Sequence, residues 1–480
     1  MMKNSVVKTR VIADILVKFN EIINSTIVQK LSATNIQDFT RIRKMSYANL
    51  IYYLIFRANK NTNAELTSFF KKLGTPQNRI SKQAHHKAVK KLNPNVFTYL
   101  INRFAELFYQ SSLNKTYKGY NILAEDGTYV EIPYNIVNLY NFQFVTNNSV
   151  TSMFDVKKIQ SKSAGLYDVL NGLFIDFTMD KATRSETPLA FCHLYRTKNM
   201  LKDKKMIYLA DRYYGSAEII SHLESLGYNY CIRGKSYFYK KQVANMTTDD
   251  EWIDVMIDEK WAKRFRYSLD AVKQRELNPV LKIRVVKYKY QYKDKKGNNV
   301  ETKLIYFTNL SEDEFSKEEI IQLYTMRWDC EVSYKTLKTC QELERYFCHD
   351  GDVSRCCVYA KILFHNVAGI LHKELNKELK ADNDTDNKYE YTINISQLHT
   401  CLKSYNIMRP MIKGIKSAIK NVLEDIRVIK NKIKVPIRPD RHSQRWGRFI
   451  KSPPSYRFTL DGRNYPKVRR YKGGLMTISP

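Results

Sequence analysis

Two segments of this sequence, residues 166–177 and 206–232, together require a β-sheet that contains both antiparallel and parallel strands. Residues 166–177 alternate apolar and polar side chains on either side of Asn171-Gly172, a dipeptide typical of the type I′ turn between paired strands. Residues 206–232 then read as a strand, a helix ended by Gly227 and a second strand, which is a βαβ unit with parallel strands. We therefore predict an α/β fold in which helices pack on a mixed sheet.

Two aspartates follow apolar runs that we predict to be strands. Asp126, with Gly127 after it, ends the run 120–125 and indicates a strand that stops in a turn. Asp211 directly follows the first strand of the βαβ unit. Because open α/β sheets place their sites at the carboxyl ends of strands, we expect both side chains at one edge of the sheet. Taken singly, each has another explanation, Asp126 as a turn residue and Asp211 as a loop or helix-cap residue.

A third carboxylate lies in a segment that we predict to be one helix, which begins at a capping box formed by Ser316 and Glu319. At about 100° per residue, four polar or charged side chains of this helix share a stripe about 60° wide. They are Tyr324, Arg327, Glu331 and Lys338. The neighbouring stripe is apolar and should be buried; it consists of Leu323, Met326, Cys330 and Leu337. The alternative is an amphipathic helix with a solvated charged face, since charge pairs at this spacing are ordinary.

A lone carboxylate among cations, beside a buried face, is what metal-assisted phosphate chemistry needs. Asp126, Asp211 and Glu331 are far apart in the sequence, but the predicted strands and helix allow the three to meet at one edge of the sheet. Carboxylate oxygens are the ligands that Mg²⁺ prefers. The three acids are therefore the candidate catalytic and metal-binding residues.

The charge of the chain points to a polyanion as its partner. The 480 residues include 80 Lys and Arg against 48 Asp and Glu, a formal net charge of +32. Nucleic acid is the usual partner of so basic a protein. No apolar run approaches the roughly 18–20 residues of a membrane span, and the N-terminus lacks the apolar segment of a signal peptide. We expect a cytoplasmic, nucleoid-associated protein with no membrane partner.

The character of the sequence divides the chain into three regions. Residues 1–115 are predicted to be helical, with three short helices that resemble a helix-turn-helix and would contact DNA, although many such clusters bind nothing. Residues 116–375 form a catalytic region, interrupted at 233–306 by a β-rich insertion whose basic face suits a phosphate backbone or is simply a solvated sheet edge. Residues 376–480 are a helical region followed by a basic tail.

Together these motifs resemble those of a known enzyme family. The spacing Y-x2-R-x3-E-x6-K is the signature of the "insertion sequence four" family of bacterial DDE transposases. Here it is carried by Tyr324, Arg327, Glu331 and Lys338. Asp126-Gly127 is similar to the family's first aspartate motif, and Asp211-Arg212 is similar to its second. The resemblance identifies the two aspartates and the glutamate as the DDE residues.

The resemblance extends over about residues 116–375 and implies a particular fold. Enzymes of this family have a ribonuclease H-like core with a β insertion before the glutamate, which agrees with the insertion read independently at 233–306. The chain departs from many relatives at the second aspartate motif, where the glycine is delayed to Gly215. This change alters the local turn and leaves the carboxylate in place.

The resemblance also implies a mechanism and its partners. Asp126, Asp211 and Glu331 would hold two Mg²⁺ ions, for which Mn²⁺ would substitute. Water would free a 3′-OH at the end of the element, and that 3′-OH would then attack target DNA. The partner is double-stranded DNA, both the terminal inverted repeats and the target, bound by a homodimer. The side chains that would hold DNA are Tyr324, Arg327, Lys338, Lys335, Arg212 and Arg233.

Two other functions remain open at this stage. One is a catalytically silent DNA-binding protein derived from a transposase, which would bind DNA without metal-dependent cleavage. The other is a stand-alone ribonuclease H-like nuclease, which would cut without end specificity or strand transfer. Inverted repeats beside the gene would favour the transposase over both.

Overall fold

The computed structural model of the protein describes residues 2–142, 144–145, 158–235, 237–293, 298–382, 389–438, 469–471 and 474–476. Most of the predicted basic tail, residues 439–468 in particular, lies outside the described residues. Among the described helices, none combines the length and the apolar character needed to cross a membrane.

Six helices form the N-terminal part of the chain. They are α1 (Met2–Ile23), α2 (Thr26–Ser32), α3 (Tyr47–Phe56), α4 (Thr62–Leu73), α5 (Lys82–Val89) and α6 (Asn95–Tyr109). The three short helices predicted from the sequence correspond to α3, α4 and α5. Each begins at a polar residue, Ser46, Asn61 or Ser81, whose side chain accepts a hydrogen bond from a backbone amide of the first turn.

The middle of the chain builds the sheet and the helices that cover it. Its first part contains β1 (Asn121–Glu131), α7 (Ile136–Phe142), β2 (Phe144–Val145), β3 (Lys158–Asp168), β4 (Leu173–Lys181), α8 (Glu186–Leu201), β5 (Met206–Ala210), α9 (Ala217–Ser225) and β6 (Asn229–Arg233). Its second part contains α10 (Lys240–Ala244), β7 (Asp250–Met256), α11 (Glu259–Ala262), α12 (Leu269–Leu277), β8 (Val280–Lys293), β9 (Asn299–Thr308), α13 (Lys317–Thr325) and α14 (Trp328–Thr339).

The described strands β1 to β9 form one mixed sheet. The strand order is β2-β3-β1-β5-β6-β9-β8-β7, with β4 paired to β3. β1 and β6 flank β5 as parallel partners, and the other pairs are antiparallel. The mixed α/β architecture is therefore confirmed, including the parallel β5-α9-β6 unit. The strands of the predicted insertion do not form a separate sheet, because β9 pairs with β6 and continues the central one.

The hairpin of β3 and β4 is present, but its turn differs from the prediction. Four residues, 169–172, connect the strands instead of the two of a type I′ turn. The Asp168 carboxylate accepts hydrogen bonds from the amides of Leu170 and Asn171 at 3.1 and 3.0 Å, and the Gly172 amide bonds to the Asp168 carbonyl at 2.8 Å. These bonds close a wider loop, in which Gly172 has a φ of +77°.

A long buried helix joins the N-terminal helices to the sheet. The C-terminal part of the chain contains α15 (Gly351–Ala381), β10 (Tyr391–Ile393), α16 (Ile395–Ser404), α17 (Met408–Ile412), α18 (Lys416–Val428), β11 (Lys434–Pro436), β12 (Arg469–Tyr471) and β13 (Gly474–Met476). α15 packs against α3, α6 and β4. Buried apolar side chains from Ile12 to Ile433 form one continuous core. The domain boundaries at 115 and 375 stay predictions.

Candidate active site

Asp126 lies inside a strand and not at its end. Asp126 is paired with Gly165, and Gly127 with Ala164 of the neighbouring strand β3. The prediction of a turn at Asp126-Gly127 is therefore wrong. The reason for the glycine is steric, because a Cβ atom at position 127 would stand 2.3 Å from Cδ of Glu186. Gly127 leaves room for a carboxylate that reaches the strand from α8.

Asp211 directly follows β5, the strand beside β1. The parallel register of β1 and β5 ends with the pair Glu125 and Ala210. Asp126 and Asp211 are the residues that come directly after this pair. Neighbouring strands are about 4.8 Å apart, so the backbones of the two aspartates lie close together. The Tyr213 amide donates a hydrogen bond of 2.7 Å to the Asp211 carboxylate and fixes its orientation.

The segment predicted as one helix is two helices, α13 and α14, separated by Met326 and Arg327. Both residues keep right-handed helical backbone angles, but the hydrogen bonds here run from residue i to residue i−3. The Arg327 amide bonds to the Tyr324 carbonyl at 3.1 Å, and the Cys330 amide bonds to the Arg327 carbonyl at 3.0 Å. This tighter turn interrupts the α-helix. Of the predicted buried stripe, Leu323, Cys330 and Leu337 are buried and Met326 is half-buried.

Arg327 connects the first aspartate to the glutamate. One of its terminal nitrogens lies 3.4 Å from the Asp126 carboxylate, and the other lies 2.6 Å from the Glu331 carboxylate. Burial raises the pKa of the Asp126 carboxyl to about 7, the charge of Arg327 opposes this rise, and the charge of Glu331 adds to it. The arginine therefore balances two acids at this edge of the sheet.

The other predicted DNA-binding side chains differ in their contacts and in their exposure. The Arg327 guanidinium lies 5.6 Å from the centre of the Tyr324 ring, and that ring packs 4.9 Å from the Tyr306 ring. Burial raises the pKa of the Tyr324 hydroxyl. Lys338 donates a hydrogen bond of 2.6 Å to the Tyr129 carbonyl on β1 and does not contact the acids. Of the remaining three, Lys335 and Arg212 are exposed and Arg233 is half-buried.

A fourth carboxylate, that of Glu186, belongs to the same site. Its two oxygens accept hydrogen bonds from Lys162 at 2.5 Å and from the Tyr214 hydroxyl at 3.1 Å. Burial, and after it the charge of Glu186, raise the pKa of the Asp211 carboxyl. The same charge contributes to the raised pKa of Asp126. Glu186 therefore lies close enough to both aspartates for its charge to act on each.

Glu186 is not among the site residues predicted from the sequence. It follows Ser185 in the first turn of α8, where an acidic residue is expected simply because it suits the positive end of the helix dipole. The signal that could have identified a neighbour is Gly127, since a glycine inside a strand often marks a close approach. That signal shows that something approaches the strand without showing which residue does so.

A buried polar network supports β1 directly behind Asp126. The Glu125 carboxylate lies 2.9 Å from Nδ1 of His193, and Nε2 of His193 lies 3.0 Å from the Thr178 hydroxyl. Thr178 is also bonded to Arg196, which pairs with Asp176 at 2.6 Å. Burial raises the pKa of Glu125 and lowers that of His193 to about 4. The network fixes the strand position that precedes the first aspartate.

The donor set of the site fits a hard divalent cation. Within the described residues, no three acidic, histidine or cysteine side chains are yet close enough together to hold a metal ion. Arg327 lies between Asp126 and Glu331, so these two carboxylates could share an ion only after the arginine moves away. Oxygen ligands suit Mg²⁺ and Mn²⁺, and a cation would offset the burial and mutual repulsion that raise the carboxyl pKa values.

Replacing Arg327 by alanine is expected to destabilise the protein. The change leaves the half-buried carboxylates of Asp126 and Glu331 without their cation, at a cost of about 2 kcal/mol, between the values typical of exposed and buried ion pairs. Urea unfolding measures this difference. The control is Arg212→Ala, which removes an exposed arginine beside Asp211 and should change the unfolding free energy by less than about 0.5 kcal/mol. Equal stability of the two variants would contradict the bridging role of Arg327.

The segment that contains Asp126, Asp211 and Glu331 matches a known protein family. A family model described as a transposase DDE domain matches residues 121–367. No curated protein sequence matches the chain. Among solved structures, the chain is similar to a cryo-EM structure of the piggyBac transposase synaptic complex with hairpin DNA, at 11% identity and a TM-score of 0.39, over 87% of this chain and 86% of that one.

Proposed function

Because the chain belongs to the transposase DDE domain family, we propose that it binds the ends of an insertion sequence, cleaves phosphodiester bonds there and transfers the freed strand to target DNA. Its closest affiliation within DDE enzymes would be the "insertion sequence four" family, whose Y-R-E-K signature matches Tyr324, Arg327, Glu331 and Lys338. The sheet order β3-β1-β5-β6, with β1, β5 and β6 parallel and β3 antiparallel, supports a ribonuclease H-like core.

One observation carries this proposal. Asp126 in β1 and Asp211 directly after β5 follow the last paired residues of two adjacent parallel strands, and Glu331 is joined to Asp126 through Arg327. On this basis the three acids, although separated by long stretches of sequence, are proposed to form one site. A solvated charged helix face, the alternative explanation of the Glu331 stripe, would not place Arg327 between Glu331 and an aspartate of the sheet.

The side chains divide the chemical work among them. Asp126, Asp211 and Glu331 would hold two Mg²⁺ or Mn²⁺ ions, with Glu186 beside them. When bound, these ions would activate the attacking oxygen and stabilise the leaving 3′ oxygen of an in-line displacement. Because Gly127 has no side chain, it leaves the space in which the Glu186 carboxylate lies near both aspartates.

The cations of the site would orient DNA. Arg327, freed from the two carboxylates, presents a planar guanidinium that can hold a phosphate through two hydrogen bonds. Lys338 stands on the same helix as Glu331 and offers a point charge. Tyr324 supplies a hydroxyl, and the exposed Lys335 and Arg212 extend the positive surface. Binding as a homodimer, with one element end for each active site, is part of the proposal.

A cleavage and strand-transfer assay tests the function. Duplexes that carry the sequences flanking the gene are incubated with the protein, supercoiled plasmid and Mg²⁺, and the products are resolved by strand. We expect nicks at the element end and covalent joining of the new 3′ end to the plasmid, and neither with EDTA nor with scrambled ends. Salt-sensitive binding without cleavage would instead identify a silent relative, and cleavage of all duplexes without joining would identify a nuclease.

A further inference from the structure

A second positively charged site lies between the N-terminal helices and the loop that follows α14. It is a cavity of about 300 Å³, and five of its lining residues are Arg57, Lys60, Lys82, Arg345 and His349. None of the described residues that line it is acidic. The cavity is separate from the carboxylate site, since none of the four acids contributes to its walls.

The cations of this pocket are largely uncompensated. Arg57 is only 4% exposed, yet its Nε has no hydrogen-bond partner within the described part of the chain. Its guanidinium is held 4.8 Å above the Phe347 ring and within 3.5 Å of the Arg345 carbonyl. Lys60 and Lys82 are exposed at the rim, and neither forms an ion pair among the described residues. Arg345 alone is paired, with Glu342 at 3.0 Å.

The amino end of α5 adds to the positive potential, whereas the first turn of α4 carries Glu65, whose carboxylate accepts hydrogen bonds from the Ala58 and Lys60 amides. α4 begins at Thr62 and α5 begins at Lys82, and both residues line the cavity. The amino end of a helix carries a partial positive charge and backbone amides that suit an anion. A buried arginine, two lysines without an ion pair among the described residues and the amino end of α5 therefore surround one concave space, an arrangement that favours an anion with several oxygen acceptors.

The position of the pocket relates it to the active site. The Tyr346 hydroxyl donates to the Glu131 carbonyl at 2.9 Å, and the Glu131 amide donates to the Glu344 carboxylate at 3.0 Å. These bonds fix the loop to the end of β1, the strand that carries Asp126. Along an extended strand the five residues from Asp126 to Glu131 cover roughly 17 Å, so the pocket and the carboxylate site are separate regions joined by β1.

We propose that this pocket binds a backbone phosphate of the substrate DNA, away from the bond that is cut at the carboxylate site. The assignment rests on the proposed function, because it takes DNA as the substrate. A phosphate held there would fix the register of the duplex at two points, the pocket and the carboxylate site. A free phosphate ion offers the same oxygens, so the test must separate the two sources.

The first test compares the salt dependence of DNA binding. The variant Lys60→Ala/Lys82→Ala removes the exposed cations of the rim and spares the buried Arg57. The matched control, Lys71→Ala/Lys413→Ala, removes two exposed lysines that do not line the pocket. Each lost phosphate contact lowers the slope of log affinity against log salt by about 0.9. We expect the rim variant to lose about one unit of slope and about tenfold in affinity at low salt, and the control to lose much less. Equal slopes for the two variants would overturn the proposal.

The second test maps the pocket in the unaltered protein by lysine acetylation. We expect duplex DNA to protect Lys60 and Lys82 from the reagent, and inorganic phosphate at the same ionic strength to leave them reactive. Protection by inorganic phosphate but not by DNA would overturn the assignment to DNA. The two proposals can fail separately. If the wild-type protein does not cleave its flanking DNA but the rim variant still loses slope, the proposed function is contradicted and the phosphate pocket remains supported.

Discussion

Replacing Glu331 by glutamine is expected to reduce metal-dependent strand cleavage at least about a thousandfold, while DNA binding is retained. Glutamine has the same shape and can still accept a hydrogen bond from Arg327, but it lacks the charge that would hold a divalent ion. A thousandfold loss corresponds to ~4 kcal/mol of activation free energy, within the several kcal/mol that metal-ion catalysis supplies. Single-turnover cleavage of a duplex with the element end, at saturating protein, measures the chemical step.

The matched control is Glu318→Gln, the same chemical change at an exposed position on α13. It should cleave at the wild-type rate. Circular dichroism and DNA affinity of both variants establish that the loss is chemical. Cleavage by Glu331→Gln at more than about a tenth of the wild-type rate would remove Glu331 from the metal site.

The substitution Gly127→Ala is expected to reduce cleavage about a hundredfold, although it adds only one methyl group and changes no charge. The new Cβ would stand 2.3 Å from Cδ of Glu186, so the Glu186 carboxylate must leave its place beside Asp126 and Asp211. Displacement of an active-site group by about 1 Å costs on this order. The measurement is the single-turnover cleavage rate of the variant.

A double-mutant cycle separates this steric effect from general damage to the strand. Glu186→Ala alone removes the carboxylate, and Gly127→Ala/Glu186→Ala removes both the carboxylate and the collision. We expect the double variant to be no slower than Glu186→Ala, because the three atoms nearest to the new methyl group all belong to the part of Glu186 that alanine lacks. If the cleavage rate of the double variant instead fell by the product of the two single losses, the glycine would be needed for another reason.

Local signals predicted the parts of the fold that depend on neighbouring residues. The β5-α9-β6 unit follows from two apolar runs and the helix-ending Gly227, which has a φ of +69°. The prediction that Asp126 and Asp211 lie on neighbouring strands agrees with the register of β1 and β5, although Asp126 stands inside β1 and not at its carboxyl end. The start of α13 at its capping box is likewise observed.

The errors arise where a distant residue decides the local structure. Asp126-Gly127 reads as a turn, but the glycine stands inside β1 because the side chain of Glu186 occupies the adjacent space. Glu186 itself carries only the ordinary signal of a helix start. Nothing in the periodicity of the Tyr324 segment indicates the tighter turn at Met326 and Arg327, where backbone hydrogen bonds change their spacing.

The same limit applies to the pairing of Arg327. Its spacing from Glu331 predicts a contact along the helix, and the ion pair at 2.6 Å agrees with it. Its second contact, with Asp126 at 3.4 Å, depends on how α14 docks on β1 and cannot be read from either segment alone. Tertiary packing therefore decides which acids share a cation in this site.

The most direct measurement for the central claim is the anomalous scattering of Mn²⁺ in crystals of the protein bound to its element end. We predict Mn²⁺ peaks coordinated by Asp126, Asp211 and Glu331, with Arg327 displaced from the two carboxylates toward a DNA phosphate. If crystals that contain ordered DNA show no Mn²⁺ peak at these carboxylates, and Arg327 still joins Asp126 to Glu331, the assignment of a metal-dependent transposase site is contradicted.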